Sequence, residues 1–441
     1  MVSAIKTNML NPVANEPVID KDAALEASRK AILAVEKMSE DSEIVNPRRA
    51  KSVPRYAREQ LVLGSLLGRG GFSDVYEVKK IDGATDMRRS LAGHRTLSMP
   101  MLSNSRHQSD NESVNSSSSD DEKEHVGSRA FLLRRTKTRK IQYAVKFLSL
   151  STMTNPESFA TGAADLAIEG HFLSSLDHPN IIKLRGLSNG GIEGFAKGRG
   201  GGYFLVLDRL AETLHSRLSR WQQKQGKSSF FSSKNADRDS KKHRYFARCL
   251  NIASNIASAL DYMHSWNVIY RDLKPENVGF DVNDEVKIFD FGFTKELREA
   301  DSLDDGLYNL TGNTGSPRYM APEVGRSMPY NLSADVYSFS TLMWELCTLE
   351  QPYSGMTPTT HRELVINGPY RPPIDEDWPI NLRRIMERGW SGDINERPSM
   401  MDYCTALERE IVESTKENKS PMERRLKRGL SQKKLLVRTP S

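Results

Sequence analysis

Val268-Ile269-Tyr270-Arg271-Asp272-Leu273-Lys274-Pro275-Glu276-Asn277 is followed after a short gap by Lys287-Ile288-Phe289-Asp290-Phe291-Gly292. The first run sets a carboxylate (Asp272), an ammonium (Lys274) and a carboxamide (Asn277) within six positions. Pro275 opposes a regular helix there, because it lacks a backbone N–H and its ring clashes with the preceding turn. The run therefore reads as a loop aiming three polar groups at one point. The second run carries apolar residues straight into Asp290 and then a glycine, the pattern of a buried strand ending at an acid. An acid there beside an Asn supplies oxygen ligands for a hard cation such as Mg²⁺.

Working outward, Leu61 to Val78 forms two apolar runs joined by the glycine-rich turn Gly68-Arg69-Gly70-Gly71-Phe72-Ser73. The chain continues as a strand and not as a helix, so this is a hairpin and not a dinucleotide-binding fingerprint. In Gln142-Tyr143-Ala144-Val145-Lys146-Phe147-Leu148, alternation places Ala144 and Lys146 on one face of a strand. A helix is expected from about Glu157 to Leu176, with Gly162 and Gly170 softening it. Phe246, Leu250, Ala253, Ile256, Leu260 and Met263 recur at helical spacing and predict a core helix.

The two opening runs, in this order and spacing, closely resemble the catalytic loop and Asp-Phe-Gly motif of eukaryotic protein kinases. The resemblance covers roughly residues 61–411. It implies an α+β, two-lobed fold, with a small β-rich N-lobe over about 59–207 and a larger α-helical C-lobe over about 208–413. A tail precedes it over 1–58 and a basic tail follows over 414–441. The implied activity is ATP-dependent transfer of a γ-phosphate to Ser/Thr hydroxyls of protein substrates, with Mg²⁺.

Site roles follow from the same resemblance. Gly68, Gly70, Phe72 and Val75 belong to the phosphate-covering loop, with Ser73 standing where a third glycine is usual. Lys146 holds the α- and β-phosphates and pairs with Glu169 on the following helix. Ala144, Leu207, Asp208 and Leu210 surround adenine, the last two from the hinge. Asp272 accepts the substrate hydroxyl proton, Lys274 steadies the γ-phosphate, and Asn277 and Asp290 hold Mg²⁺. Ser316 bridges Asp272 and Lys274. Arg271 pairs with a phosphate on the activation segment, for which Thr311 and Thr314 are the candidate sites, modified by an upstream kinase or by a second copy in trans. Glu323 closes an Ala-Pro-Glu anchor and expects Arg397 as its buried partner. Lys274-Pro275-Glu276-Asn277 is the serine/threonine form of the loop. The segment Gly312 to Val324 looks most like the tyrosine-kinase-like group. Tyr270 replaces the commoner His in a packing role. Gly279 departs from the family pattern, which places a large apolar residue there as the adenine floor, and a less filled floor is expected.

Composition fits a soluble signalling protein with polar inserts. The 441 residues are 37% hydrophobic and 27% charged, and no run approaches the roughly 18 apolar residues of a membrane span. The net charge of +6 is accounted for by the stretch from Lys416, where nine Lys and Arg face Glu417 and Glu423. Arg424-Arg425-Leu426-Lys427-Arg428 reads as a solvated tail, with nuclear import the sharper alternative. The N-terminus lacks a secretory pattern, and a cytoplasmic or nuclear location is expected by default, with no nucleic-acid partner. Cys249, Cys347 and Cys404 are too widely spaced for a disulfide framework or a zinc site.

Four stretches expect less order or less consequence. Residues 83–140, rich in Ser, Asn and Asp, cannot bury enough apolar surface to fold, and carry candidate phosphoserines. Gly190 to Gly202 reads as a flexible loop and 224–242 as a second polar insert. Asp22 to Met38 predicts a short surface helix with Leu25, Ile32, Val35 and Met38 on its apolar face. Two rivals stand beside the kinase reading. A pseudokinase scaffold is opposed by the presence of Lys146, Glu169, Asp272, Asn277 and Asp290. A small-molecule kinase is opposed by the long, anchored activation segment.

Overall fold

Residues 19–40, 42–44, 52–82, 143–197, 202–228, 235–303 and 305–414 are described by the structure, a computed structural model. The insert 83–140 and the run Arg424 to Arg428 lie outside these residues. The chain divides into two compact units: the first takes the described parts of Met1–Glu40, Val45–Ser175 and Lys183–Arg209, the second those of Asp41–Ile44, Leu176–Ile182 and Leu210–Ser441.

The first unit is built on a six-stranded sheet of β1 (Arg55–Tyr56), β2 (Leu61–Arg69), β3 (Ser73–Ile81), β4 (Tyr143–Leu148), β5 (Leu184–Ser188) and β6 (Leu205–Asp208), in the order β1-β5-β6-β4-β3-β2. Only β1 and β5 run parallel. The alternation expected of β4 is realised: Tyr143, Val145 and Phe147 enter one apolar core, while Ala144 and Lys146 take the other face. The hairpin turn closes through Gly70 N–H to the Ser73 carbonyl at 2.7 Å.

Two helices belong to this unit, α1 (Lys21–Ser39) and α2 (Pro156–Ser175). Asp20 caps α1, its carboxylate accepting from the N–H groups of Asp22 and Ala23 at 2.8 and 3.0 Å. The apolar face differs from the expected one. Ala24, Ala27, Ser28 and Ala31 are buried, whereas Leu25 is 57% exposed and Ile32, Val35 and Met38 are half-buried at the flank. Small residues take the inner face because the spacing of packed helices is set by side-chain size at the contact. The partners of that face are α2 and a short 3-10 helix, Ile192–Lys197. That second partner also corrects the reading of Gly190 to Gly202 as a flexible loop over Ile192–Lys197, while 198–201 lie outside the described residues. Buried Phe195 pins it, with ring centroids 6.4 Å from Phe159 and 5.3 Å from Tyr203.

The two glycines of α2 lie against neighbouring side chains. A Cβ on Gly170 would sit 2.2 Å from the Tyr203 hydroxyl, and one on Gly162 would sit 3.0 Å from Phe72 Cβ in the glycine-rich turn. Both are close-approach positions that a larger residue would block.

The second unit is mainly helical. It adds a three-stranded sheet of β7 (Leu210–Thr213), β9 (Val278–Asp281) and β10 (Val286–Ile288), and a pair made by β8 (Val268–Ile269) with β11 (Lys295–Glu296). Helices α3 (Leu214–Ser228) and α4 (Asn235–His264) extend into the stretch expected as a polar insert at 224–242, so helix ends occupy much of it. Leu250, Ala253, Ile256, Leu260 and Met263 form the buried stripe of α4, as their spacing predicts. Helix α5 (Ser333–Thr348) is buried continuously from Ala334 to Leu346. Helix α6 (Ile380–Gly389) and a last helix over 400–414 complete the unit. Among the described residues no helix is long and apolar enough to cross a membrane.

Candidate active site

In the first unit, β4 and α2 bring an ammonium and a carboxylate together. Lys146 Nζ donates to Glu169 Oε2 at 2.6 Å, with both side chains largely shielded from solvent. A desolvated pair of this kind is held by geometry, since either charge alone would be costly to bury. Register places Val75 opposite Lys146, and Ala144 opposite Leu207. Four residues expected at a nucleotide thus occupy neighbouring positions on three strands. Gly68 and Gly71 have nothing within 4 Å of a hypothetical Cβ, so the backbone of the turn is open for close approach. Ser73 replaces a glycine without strain because it is the first residue of β3, paired with Leu148 in ordinary extended conformation. At the edge of this unit, the Asp208 carboxylate is gripped by Arg185 through two 2.8 Å bonds.

In the second unit, the loop between β8 and β9 delivers the three polar groups to one point. Asp272 Oδ2 accepts from Lys274 Nζ at 2.7 Å and from Asn277 Nδ2 at 2.8 Å, and Asp272 Oδ1 accepts from Ser316 Oγ at 3.0 Å. Asn277 Nδ2 also donates to the Asp272 carbonyl at 2.9 Å. With the amide nitrogen committed, Oδ1 is the carboxamide atom left for a cation. Phe289 N–H donates to the Asn277 carbonyl at 3.0 Å, which places Asn277 beside the residue before Asp290. Asn277 and Asp290 thus supply oxygens suited to Mg²⁺.

Arg271 and Asp290 both have positive φ, 69° each. This sparsely populated conformation costs free energy, and the surroundings must hold it in place. One holding group escaped the sequence reading. Asp335, fully buried at the start of α5, accepts from the backbone N–H of Tyr270 at 2.7 Å and of Arg271 at 2.8 Å, and contacts His264 Nε2 at 3.0 Å. The available signal was an acid opening an otherwise apolar helix, a residue type that is rarely buried without partners. Tyr270 is wholly buried, its hydroxyl donating to the Phe289 carbonyl and its ring 5.4 Å from Phe291.

The activation segment lies against this loop. A Cβ on Gly315, where φ is 90°, would come 2.3 Å from the Arg271 carbonyl, so the neighbouring Ser316 reaches Asp272 only because this residue is glycine. Arg271 donates to the Phe293 carbonyl at 2.5 Å and to the Tyr330 hydroxyl at 3.4 Å, and Tyr330 in turn donates to the Thr311 carbonyl at 2.8 Å. Thr314 donates to the same carbonyl at 2.8 Å. Arg271 and Thr314 also line one small cavity. The expected anchor is present: Arg397 binds both oxygens of Glu323 at 2.7 and 2.9 Å.

The expected gap at Gly279 is filled. A Cβ there would sit 2.6 Å from Leu210 Cδ1 and 3.3 Å from the Glu212 carbonyl, because β7 pairs with β9. Leu210 supplies from the neighbouring strand the apolar bulk that position 279 lacks. Burial pushes the Cys249 and Cys404 thiols up to about 12, in keeping with cysteines that serve as small apolar residues.

Tyr319, three residues after Ser316, donates to Glu345 Oε2 on α5 at 2.5 Å. Burial pushes the Glu345 carboxyl up to about 7; the Tyr319 hydrogen bond opposes the rise and Glu276 adds to it. The folded state therefore binds this proton more tightly than the unfolded chain. The resulting stabilisation is complete below the ordinary value of 4.5 and is lost as pH rises through about 7. Glu345→Gln cannot ionise and is expected to match the parent near about pH 5 and exceed its stability by about 1–3 kcal/mol near about pH 8. Denaturant melts at the two values check this, and a constant difference between parent and variant excludes the assignment.

The family model described as protein tyrosine and serine/threonine kinase matches residues 127–407. Dual specificity protein kinase shkB of Dictyostelium discoideum is 37% identical over 159 residues, 36% of this chain and 24% of that protein. Serine/threonine-protein kinase STY46 of Arabidopsis thaliana is 34% identical over 171 residues, 38% of this chain and 28% of its own length. Serine/threonine/tyrosine-protein kinase HT1 of the same plant is 34% identical over 160 residues, 36% and 39% of the two chains. The chain thus spans about a quarter to two-fifths of the length of these relatives.

Proposed function

The chain belongs to the protein tyrosine and serine/threonine kinase family, and from that premise we propose that it transfers the γ-phosphoryl group of ATP to Ser and Thr hydroxyls of protein substrates. The observation that carries this reading is the Asp272 carboxylate fixed by Lys274, Asn277 and Ser316. Phosphoryl transfer asks the protein mainly for positioning and charge stabilisation. Asp272 orients the acceptor hydroxyl and takes its proton as the new P–O bond forms and the bond from the γ-phosphorus to the bridging oxygen breaks, ADP leaving with that oxygen. Lys274, already at that carboxylate, steadies the transferred group, and Ser316 holds the other oxygen so that the acceptor meets one orientation. Lys146, aligned by Glu169, binds the α- and β-phosphates. Asn277 and Asp290 would hold Mg²⁺, which would supply neutralisation of charge on the phosphates. The Ser/Thr preference rests on Lys274 in the loop and on relatives whose names carry that activity.

The purified chain, given Mg-ATP and a peptide library with phosphosites mapped by mass spectrometry, is expected to modify Ser and Thr. No transfer, together with no change on Asp290→Ala, would favour a scaffold.

Regulation by activation-segment phosphorylation extends this reading. Arg271 is tied to the Thr311 backbone through Tyr330 and shares a cavity with Thr314, so a phosphate on either threonine would find a guanidinium within the same loop cluster. An upstream kinase or a second copy in trans would supply it, in the cytoplasm or nucleus. Thr311→Ala/Thr314→Ala is expected to lower activity about tenfold or more, by losing the loop-ordering phosphate. Unchanged turnover in the double variant, or no phosphate on either residue in active protein, rules the switch out.

A further inference from the structure

Helix α2, which carries Glu169, is buried on more than one side: Phe159, Leu166 and Gly170 share one face, while Ala160 and Ala164, turned about 100–140° round the axis from it, and Phe172, turned about 140° the other way, are covered too. A helix apolar all round needs cover on more than one side, and the sheet of its own unit provides only one. The second cover is α1. Its inner residues Ala24, Ala27, Ser28 and Ala31 are almost inaccessible, and Ser28 Oγ donates to the Ile192 carbonyl at 3.4 Å. Leu25 and Leu33, each 57% exposed, lie away from the contact. Residues 42–44, further along the chain, are also held. In the second unit, Ser42 Oγ donates to Glu296 Oε2 at 2.5 Å, Glu43 N–H donates to Glu296 Oε1 at 2.9 Å, and Ile44 is buried. Glu296 lies in β11, six residues after Asp290.

We propose that residues 19–40 and 42–44 serve as built-in positioning elements of the phosphoryl-transfer machinery: α1 holds α2 where Glu169 meets Lys146, and Ser42 and Glu43 hold the base of the activation segment through Glu296. This rests on the reading of Lys146 and Glu169 as the nucleotide-binding pair. The physical argument is one of cover. Without α1, the outer face of α2 presents apolar surface to water, and rotation or fraying of α2 would hide that surface while withdrawing Glu169 from Lys146. The small-residue face makes the contact close and therefore intolerant of bulk or charge.

The full chain tests this with Ala27→Glu on the inner face, Ala27→Ser as the conservative variant and Leu33→Glu on the outer face. Hydrogen exchange over residues 156–175 is expected to accelerate about tenfold or more in Ala27→Glu, with α5 exchange unchanged. Mg-ATP binding is expected to weaken in parallel by about tenfold and turnover to fall with it. Ala27→Ser and Leu33→Glu should behave as the parent. Parent-like exchange over 156–175 in Ala27→Glu overturns the proposal, as does accelerated exchange with undiminished Mg-ATP affinity. Loss of α5 protection as well would mark global unfolding, and Ala31→Gln, a neutral intrusion on the same face, then takes the place of Ala27→Glu with the same required outcomes. A parent chain that binds no Mg-ATP, while α2 exchange still responds to the inner-face variant, overturns the kinase reading and leaves the hold of α1 on α2 standing.

Discussion

Asp272→Asn is expected to lower kcat by about a hundred- to ten-thousand-fold, the range for removing a positioned general base, while leaving the KM for ATP close to that of the parent. The carboxylate is 5% exposed and receives three donors, from Lys274, Asn277 and Ser316. An amide at this position keeps the volume but supplies only one acceptor oxygen. Turned with its NH₂ toward Ser316, whose hydroxyl can accept, the amide keeps its carbonyl for Lys274 and Asn277 but supplies no proton acceptor. The effect should fall on the transfer step because Lys146 and Glu169, the pair assigned to the nucleotide, are untouched. Steady-state kinetics with a Ser peptide, alongside nucleotide titration, separate the two quantities. A variant that loses ATP affinity and keeps kcat would place Asp272 in binding and not in proton transfer.

Arg397→Ala is expected to destabilise the second unit by about 3–5 kcal/mol, the range for removing one member of a buried ion pair. Arg397 has no exposed side-chain surface and Glu323 only 2%. The guanidinium binds both Glu323 oxygens, the Ser333 carbonyl at 3.1 Å and the Ser391 carbonyl at 3.0 Å, and lies over the Tyr337 ring at 5.3 Å. Truncation leaves a carboxylate and two carbonyls without this donor in a site closed to water. Arg397→Lys should recover only part of the loss, since an ammonium cannot reproduce the planar two-bond contact. Thermal or denaturant unfolding measures it. A loss under about 1 kcal/mol would mean that water or a neighbour repairs the site, against its observed burial.

Much of the site was legible because its residues are close in the chain. Asp272, Lys274 and Asn277 lie within one loop, and their convergence follows from local geometry and Pro275. The Glu323–Arg397 pair was legible for a different reason, a family pattern carried across a long separation. The hairpin is the intermediate case. Its glycines are plain, but the insert 83–140 parts them from Lys146, and the family match begins at 127, downstream of the turn. Pairing of β3 with β4 sets Val75 opposite Lys146, and no local signal could have fixed that register.

The misreadings share one origin. Hydrophobicity alone points Leu25 inward, whereas the neighbour that covers α1 selects for size. In the sequence Gly162, Gly170 and Gly279 look like softness or absence, because residue type alone cannot show that Phe72, Tyr203 and Leu210 fill the spaces those glycines leave. By itself the sequence determined which groups are offered for the proposed chemistry and which loop carries them, since these depend on residue type and short spacing. The tertiary structure alone decided what supports them, namely Asp335 beneath the loop, Leu210 over Gly279 and α1 against α2. Close packing joins surfaces that meet only after folding, and spacing along the chain, which can mark a face for burial, does not say which distant residue will cover it.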